Sequence, residues 1–179
     1  MWRKACTIIS VLACSAGAAH ASSLRMGASG SRLGLAFSTV GLISVSPGTI
    51  TFTASNPDAG SVAGSAPATI NWLVSAGSHL QSWSISLQAA TSTFANCPTI
   101  PISAVQVRCS TASVSGGGGS GTCGGSFPLS TTLQQSAAGA QGDNSNSYTV
   151  LLNFTLAENW RYAVNSSCTL TITYSVTAQ

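Results

Sequence analysis

The chain has 179 residues, enough for one ordinary domain, and only 5% of them are charged. Six cations against three acids give a formal net charge of +3. No basic patch is present to neutralise phosphates, which argues against nucleic-acid binding, and general acid–base catalysis has few titratable groups to draw on.

The first segment reads as an export signal. Met1-Trp2-Arg3-Lys4 is a short positive head, and Ala5 to Ala18 is an apolar and small-residue run. Ala19-His20-Ala21 then reads as a small-x-small cleavage site, with Ser22 as the new N-terminus. The run is shorter than the roughly 20 residues that a bilayer-spanning helix needs. No second run of that kind follows, so a mature chain without a transmembrane helix is expected, either secreted, periplasmic or at the cell surface. A rival reading takes Val11-Leu12-Ala13-Cys14 as a lipobox with Cys14 lipidated, although Leu12 fits that pattern poorly. Loss of residues 1–21 removes Arg3 and Lys4. It leaves Arg25, Arg32, Arg108 and Arg161 against Asp58, Asp143 and Glu158, a net charge of 4 − 3 = +1.

Residues 22–32 read as a loose leader, and residues 33–179 as the folded domain. The apolar residues of that domain recur with period two. The runs are Leu33-Leu35-Phe37, Ile43-Val45, Ile50-Phe52, Ile70-Trp72-Val74 and Trp83-Ile85-Leu87. They continue with Val105-Val107-Cys109, Phe127-Leu129 extending toward Leu133, Tyr148 to Leu156, and Leu170 to Val176. Serine and threonine fill the alternate positions, as suits the wet face of a strand. Pro47-Gly48, Asn56-Pro57-Asp58, Ala76-Gly77-Ser78 and Gly142-Asp143-Asn144 punctuate the runs as turns. One helical turn is hinted at between Leu156 and Val164. Short strands at this spacing predict an all-β fold, a single antiparallel sandwich of about eight or nine strands. Residues 113–125, rich in glycine and serine, read as a flexible loop, and 136–147 as a second polar, apolar-poor segment.

Cys6 and Cys14 fall within the signal, so the mature chain keeps Cys97, Cys109, Cys123 and Cys168. An even number in an exported chain predicts two disulfides, and four cysteines allow three pairings. Cys109 ends the inward parity of Val105 and Val107, and Cys123 begins that of Phe127. A hairpin of these two runs would bring both inward at the base of the glycine-serine loop. That favours Cys109–Cys123 and leaves Cys97–Cys168.

Catalytic and cofactor chemistry finds little to stand on, and no catalytic, cofactor or metal residue is assigned. A serine nucleophile would need His79 as its base, but no serine sits in a nucleophile elbow. Asp58 and Asp143 read as turn-formers and Glu158 with Arg161 as a local pair, so a two-carboxylate glycosidase is unsupported. Gly116 to Gly119 lacks the lysine and following helix of a phosphate loop. Asp143-Asn144-Ser145-Asn146-Ser147 has alternating oxygens but no terminal acid for calcium. Trp72 and Trp83 share parity with apolar neighbours and read as core. Trp160 and Tyr162 lie off the clean alternation and form the candidate exposed pair for sugar rings.

The length, the Ser/Thr-rich alternation and a last strand running from Cys168 to Val176 are similar in style to bacterial exported sandwich proteins of the pilin and spore coat protein U type. That resemblance implies a non-enzymatic surface or appendage subunit that partners itself or other surface subunits. In those families a subunit may borrow a strand from a neighbour's N-terminal extension. Here the segment around Leu33, Leu35 and Phe37 is the candidate donor, with docking on its own sheet the favoured alternative. A secreted carbohydrate-binding module, holding a polysaccharide on Trp160 and Tyr162, is the competing expectation.

Overall fold

The computed structural model describes residues 6–14, 39–40, 43–54, 60–75, 82–116, 118–142, 146–157 and 168–178. The strands in chain order begin with β1 (Cys6–Cys14), β2 (Thr39–Val40), β3 (Ser44–Ser46), β4 (Thr49–Ala54) and β5 (Ser61–Ala63). There follow β6 (Ala68–Ser75), β7 (Ser82–Ala89), β8 (Thr93–Phe94), β9 (Cys97–Pro101) and β10 (Val105–Ser115). The last are β11 (Thr122–Cys123), β12 (Phe127–Pro128), β13 (Gln134–Ala140), β14 (Asn146–Ala157) and β15 (Cys168–Ala178). A 3-10 turn, Ile102–Ala104, precedes β10.

Two sheets face each other. One has the order β11-β13-β7-β15-β1-β4, and the other β12-β10-β14-β6-β2, with β3 also on β6 and β5 on β14. The hairpin β8–β9 is separate and turns through Asn96, whose φ of 64° is the left-handed conformation asparagine tolerates. Among the described strands every pairing is antiparallel except β1 with β15. The fold is the antiparallel all-β sandwich that the period-two pattern predicts.

The alternation becomes the core directly. Trp83, Ile85 and Leu87 of β7 are buried, as are Leu170, Ile172 and Tyr174 of β15. Opposite them lie Ile70 and Trp72 of β6 and Tyr148 to Phe154 at every second position of β14. Burying each Val, Leu, Ile or Phe side chain is worth roughly 1.5–3 kcal/mol, so these inner faces supply the main driving force. On β10 the parity breaks where the register with β14 shifts between Cys109 and Thr111. This bulge at Ser110 moves the inward set from Val105, Val107 and Cys109 to Ala112 and Val114.

Several expectations need correction. The polar, apolar-poor segment 136–147 carries no period of its own, yet Gln134–Ala140 is strand β13, paired with β7, and Asn146 begins β14. Its small residues are what the site demands, because Trp83 lies against it. A side-chain carbon at Gly139 would come within 2.8 Å of the Trp83 ring, too close for any residue but glycine. The glycine-serine loop is also shorter than 113–125, since β10 runs to Ser115 and β11 begins at Thr122. Leu133 is 54% exposed, so the run from Phe127 ends inward at the buried Leu129. The helical turn hinted at from Leu156 is strand as far as Ala157, and the rest of it lies outside the described residues. Beyond the runs read from the alternation, the described residues hold further strands: β1 lies in the segment read as a signal, β2, β5, β8 and β11 are too short to show a period, and β9 and β13 carry none. The leader 22–32 and the run Leu33 to Phe37 lie outside the described residues.

Both disulfides form as paired above. Cys109–Cys123 spans a Cα separation of 5.3 Å and joins β10 in one sheet to β11 in the other. The hairpin logic behind that pairing is partly right: β10 does pair antiparallel with β12, Val107 opposite Phe127, while β11 crosses to β13. Cys97–Cys168, with Cα atoms 5.5 Å apart, fastens the β8–β9 hairpin to the start of β15. Such bonds persist in oxidising, extracytoplasmic surroundings.

Candidate functional site

The feature that sets this sandwich apart is the place of β1. Residues 6–14 are the apolar part of the segment that reads as an export signal, and they fill the interior position between β15 and β4. Seven register pairs run from Ile8↔Cys168 to Cys14↔Tyr174 on the parallel side. Six run from Cys6↔Ala54 to Val11↔Thr49 on the antiparallel side. Without β1 the facing edges of β15 and β4 would present unpaired N–H and C=O groups along this length.

The slot has two chemically distinct rows. Position 8 stands beside Phe52 and Cys168, position 10 beside Ile50 and Leu170, and position 12 beside Ile172. All five of these partners are buried core residues, with Ile50 only 2% and Leu170 only 3% exposed. Positions 9 and 11 stand instead beside Thr51, Thr169, Thr49 and Thr171 on the other face. Beneath the slot lies an apolar cavity walled by Ile50, Phe52, Leu170 and Ile172, with Phe94, Val105 and Phe154 completing it.

The strand that fills the slot carries a mixed sequence. Ile8-Ile9-Ser10-Val11-Leu12 puts a serine at the central register position of the apolar row. It puts branched apolar residues at the threonine-flanked positions 9 and 11.

At the far end of the sandwich the largest core side chains cluster. Trp72 stacks on Tyr148 at 5.3 Å with 10° between the rings, and Trp83 meets both edge-on. Both tryptophans are therefore core, as their parity indicates. Trp160 and Tyr162, the candidate sugar-binding pair, lie outside the described residues, as do Asp58, His79, Asp143, Glu158 and Arg161. Arg108, exposed on β10, is the only charged residue within the described segments. Among the described residues no three His, Cys, Asp or Glu side chains group as metal ligands. None of their helices is long and apolar enough to cross a membrane.

The slot was not legible beforehand, because reading residues 5–18 as a signal takes them out of the fold. Nothing in the clean alternation of β4 or β15 announces that the two edges flank one missing neighbour. Scans against protein-family models, curated proteins and solved structures match nothing to this chain.

Proposed function

We propose that this chain is an exported, non-enzymatic structural protein of the cell surface, an appendage subunit or adhesin-like module that completes its sheet through assembly. One observation carries the reading: an interior strand of the sandwich comes from residues 6–14, inside the segment that reads as a removable export signal. Cleavage after Ala21 leaves a domain whose β4 and β15 edges flank an apolar slot. A stable mature protein then needs a strand from elsewhere, and a strand added to an open edge is a recognised mode of protein association.

Two further features support it. The disulfides suit an oxidising compartment. The scarcity of acids and bases leaves acid–base catalysis without machinery, so the surface chemistry is that of a scaffold.

The test is expression with the natural leader in a bacterial periplasm, followed by size-exclusion chromatography and negative-stain microscopy. Oligomers or filaments of processed chain are expected. A folded, processed monomer that stays monomeric on concentration refutes assembly.

A further inference from the structure

We infer that Cys109–Cys123 is a redox latch: a dithiol reductant opens it in the folded protein and frees the glycine-built strap 118–121 from the edge of β10, while Cys97–Cys168 stays closed. The inference stands apart from the assembly proposed above. The strap lies at the β11 edge of its sheet, and the slot lies beside β4 at the other edge.

β12 pairs with β10 at Gln106 and Val107, and beyond Val107 no strand lies along that edge among the described residues. The strap lies there instead. A side-chain carbon at Gly121 would come within 2.6 Å of the Ala112 carbonyl oxygen and 3.0 Å of the Trp83 ring. One at Gly119 would come within 2.6 Å of Val114 Cγ1. Glycine alone lets the backbone pass this close to β10. The strap's hydrogen bonds nevertheless run to the other sheet. The Ser120 N–H donates to the Ala140 carbonyl at 3.0 Å, and the Ala140 N–H donates to Ser120 Oγ at 3.3 Å. The Ser120 carbonyl accepts from Trp83 of β7, and β11 pairs with β13. Toward β10 the described strap has packing and one covalent tie, Cys109–Cys123.

Access separates the two disulfides. Cys97 and Cys168 are each 0% exposed, whereas Cys109 is 5% exposed and Cys123 is half-buried. Exchange requires a thiolate to reach a disulfide sulfur, so the accessible bond is the labile one. One thiolate of the dithiol attacks Cys123 Sγ, the S–S bond breaks, and Cys109 Sγ leaves and takes up a proton. The dithiol's second sulfur then displaces Cys123 Sγ from the mixed disulfide. The protein gains two thiols, and the dithiol is oxidised to a disulfide. Attack on Cys97–Cys168 would first require the start of β15 to open, which costs core burial. Once Cys109–Cys123 is open, the strap keeps its bonds to β7 and β13 but nothing covalent holds it to β10.

The experiment uses the full chain exported with its own leader and carrying both disulfides. It is treated with dithiothreitol without denaturant, quenched with iodoacetamide and mapped by mass spectrometry. Label is expected on Cys109 and Cys123 about tenfold or more faster than on Cys97 and Cys168. In the partly reduced protein, amide hydrogen exchange at Ser120 and Gly124 should quicken about tenfold or more, while Leu87 and Leu152 of the core strands keep their rates. Labelling of all four cysteines together, or of Cys97 and Cys168 first, overturns the inference. Label on Cys109 and Cys123 with exchange at Ser120 and Gly124 unmoved also overturns it. A double variant, Cys109→Ser with Cys123→Ser, should show the quickened exchange without reductant, and slow exchange in that folded variant refutes the latch. Reduction of the unaltered chain decides the matter whether or not the variant folds.

Discussion

The indole N–H of Trp83, on β7, donates to the carbonyl of Ser120 at 3.0 Å and so ties the glycine-serine loop to the sheet beneath it. The same N–H reaches the Ala140 carbonyl at 3.2 Å, at the end of β13. One core side chain thus holds the ends of two segments that pack no large residue of their own. The other core tryptophan differs: Trp72 Nε1 is buried with no hydrogen-bond partner among the described residues.

That contrast makes a pair of substitutions informative. Trp83→Phe loses both bonds and leaves two carbonyls underused, a loss of about 2–3 kcal/mol with the smaller ring included. For a domain of this size that lowers Tm by about 5–10 °C. Trp72→Phe removes an unpartnered donor along with some ring contact, so it should be the milder change. Thermal unfolding of both variants decides it, and equal losses would show that the Trp83 bonds contribute nothing.

Gly139 tests the same corner from the backbone side. A carbon added there would crowd the Ser120 carbonyl and the Trp83 ring together. Gly139→Ala should destabilise by about 1–3 kcal/mol through overpacking, although alanine ordinarily suits a strand no worse than glycine. Gly125 has nothing within 4 Å of such a carbon, so Gly125→Ala serves as the control. Chemical denaturation midpoints for the two variants should separate clearly, and coincident midpoints would contradict the close approach.

The two disulfides should contribute unequally. Cys109–Cys123 closes a separation of 14 residues, whereas Cys97–Cys168 closes one of 71. In the chain-entropy account these correspond to about 3 and about 4 kcal/mol. Replacing both members of each pair with alanine, then comparing midpoints, should rank Cys97–Cys168 as the larger loss. Non-reducing peptide mapping of periplasmic protein should recover both pairs, and a Cys97–Cys109 peptide would refute the connectivity.

The sandwich was legible in the sequence because its inner faces are built from long alternating runs. Tyr148 to Leu156 and Leu170 to Tyr174 could hardly be anything but half-buried strands. The cysteine pairing was legible because inward parity constrains which sulfurs can meet. Strand β13 was not, because Gln134 to Ala140 answers to a neighbour rather than to a period. Its Ser136 and Ala137 are buried under larger residues of β7, and small side chains leave no apolar trace. The slot was hidden for a different reason. Its walls, Ile50 and Leu170, are 120 residues apart in the chain, and only the parallel pairing of β1 with β15 brings them to one place.

Residues 6–14 cannot serve the mature protein both as a discarded signal and as β1, and the mass of the exported chain decides between the two. The positive head, the apolar run and Ala19-His20-Ala21 predict that periplasmic protein begins at Ser22 and lacks residues 1–21. Cleavage at a lipobox would instead leave lipidated Cys14 as the first residue, removing nearly all of β1 as well. Either processing therefore vacates the slot beside Leu170 and Ile50, and the two are separated by the added mass of the lipid. Only a retained N-terminus keeps β1 in the sheet. Intact-mass measurement that finds Met1 still present in exported, disulfide-bonded protein would make the slot permanently filled, and would remove the physical need for assembly.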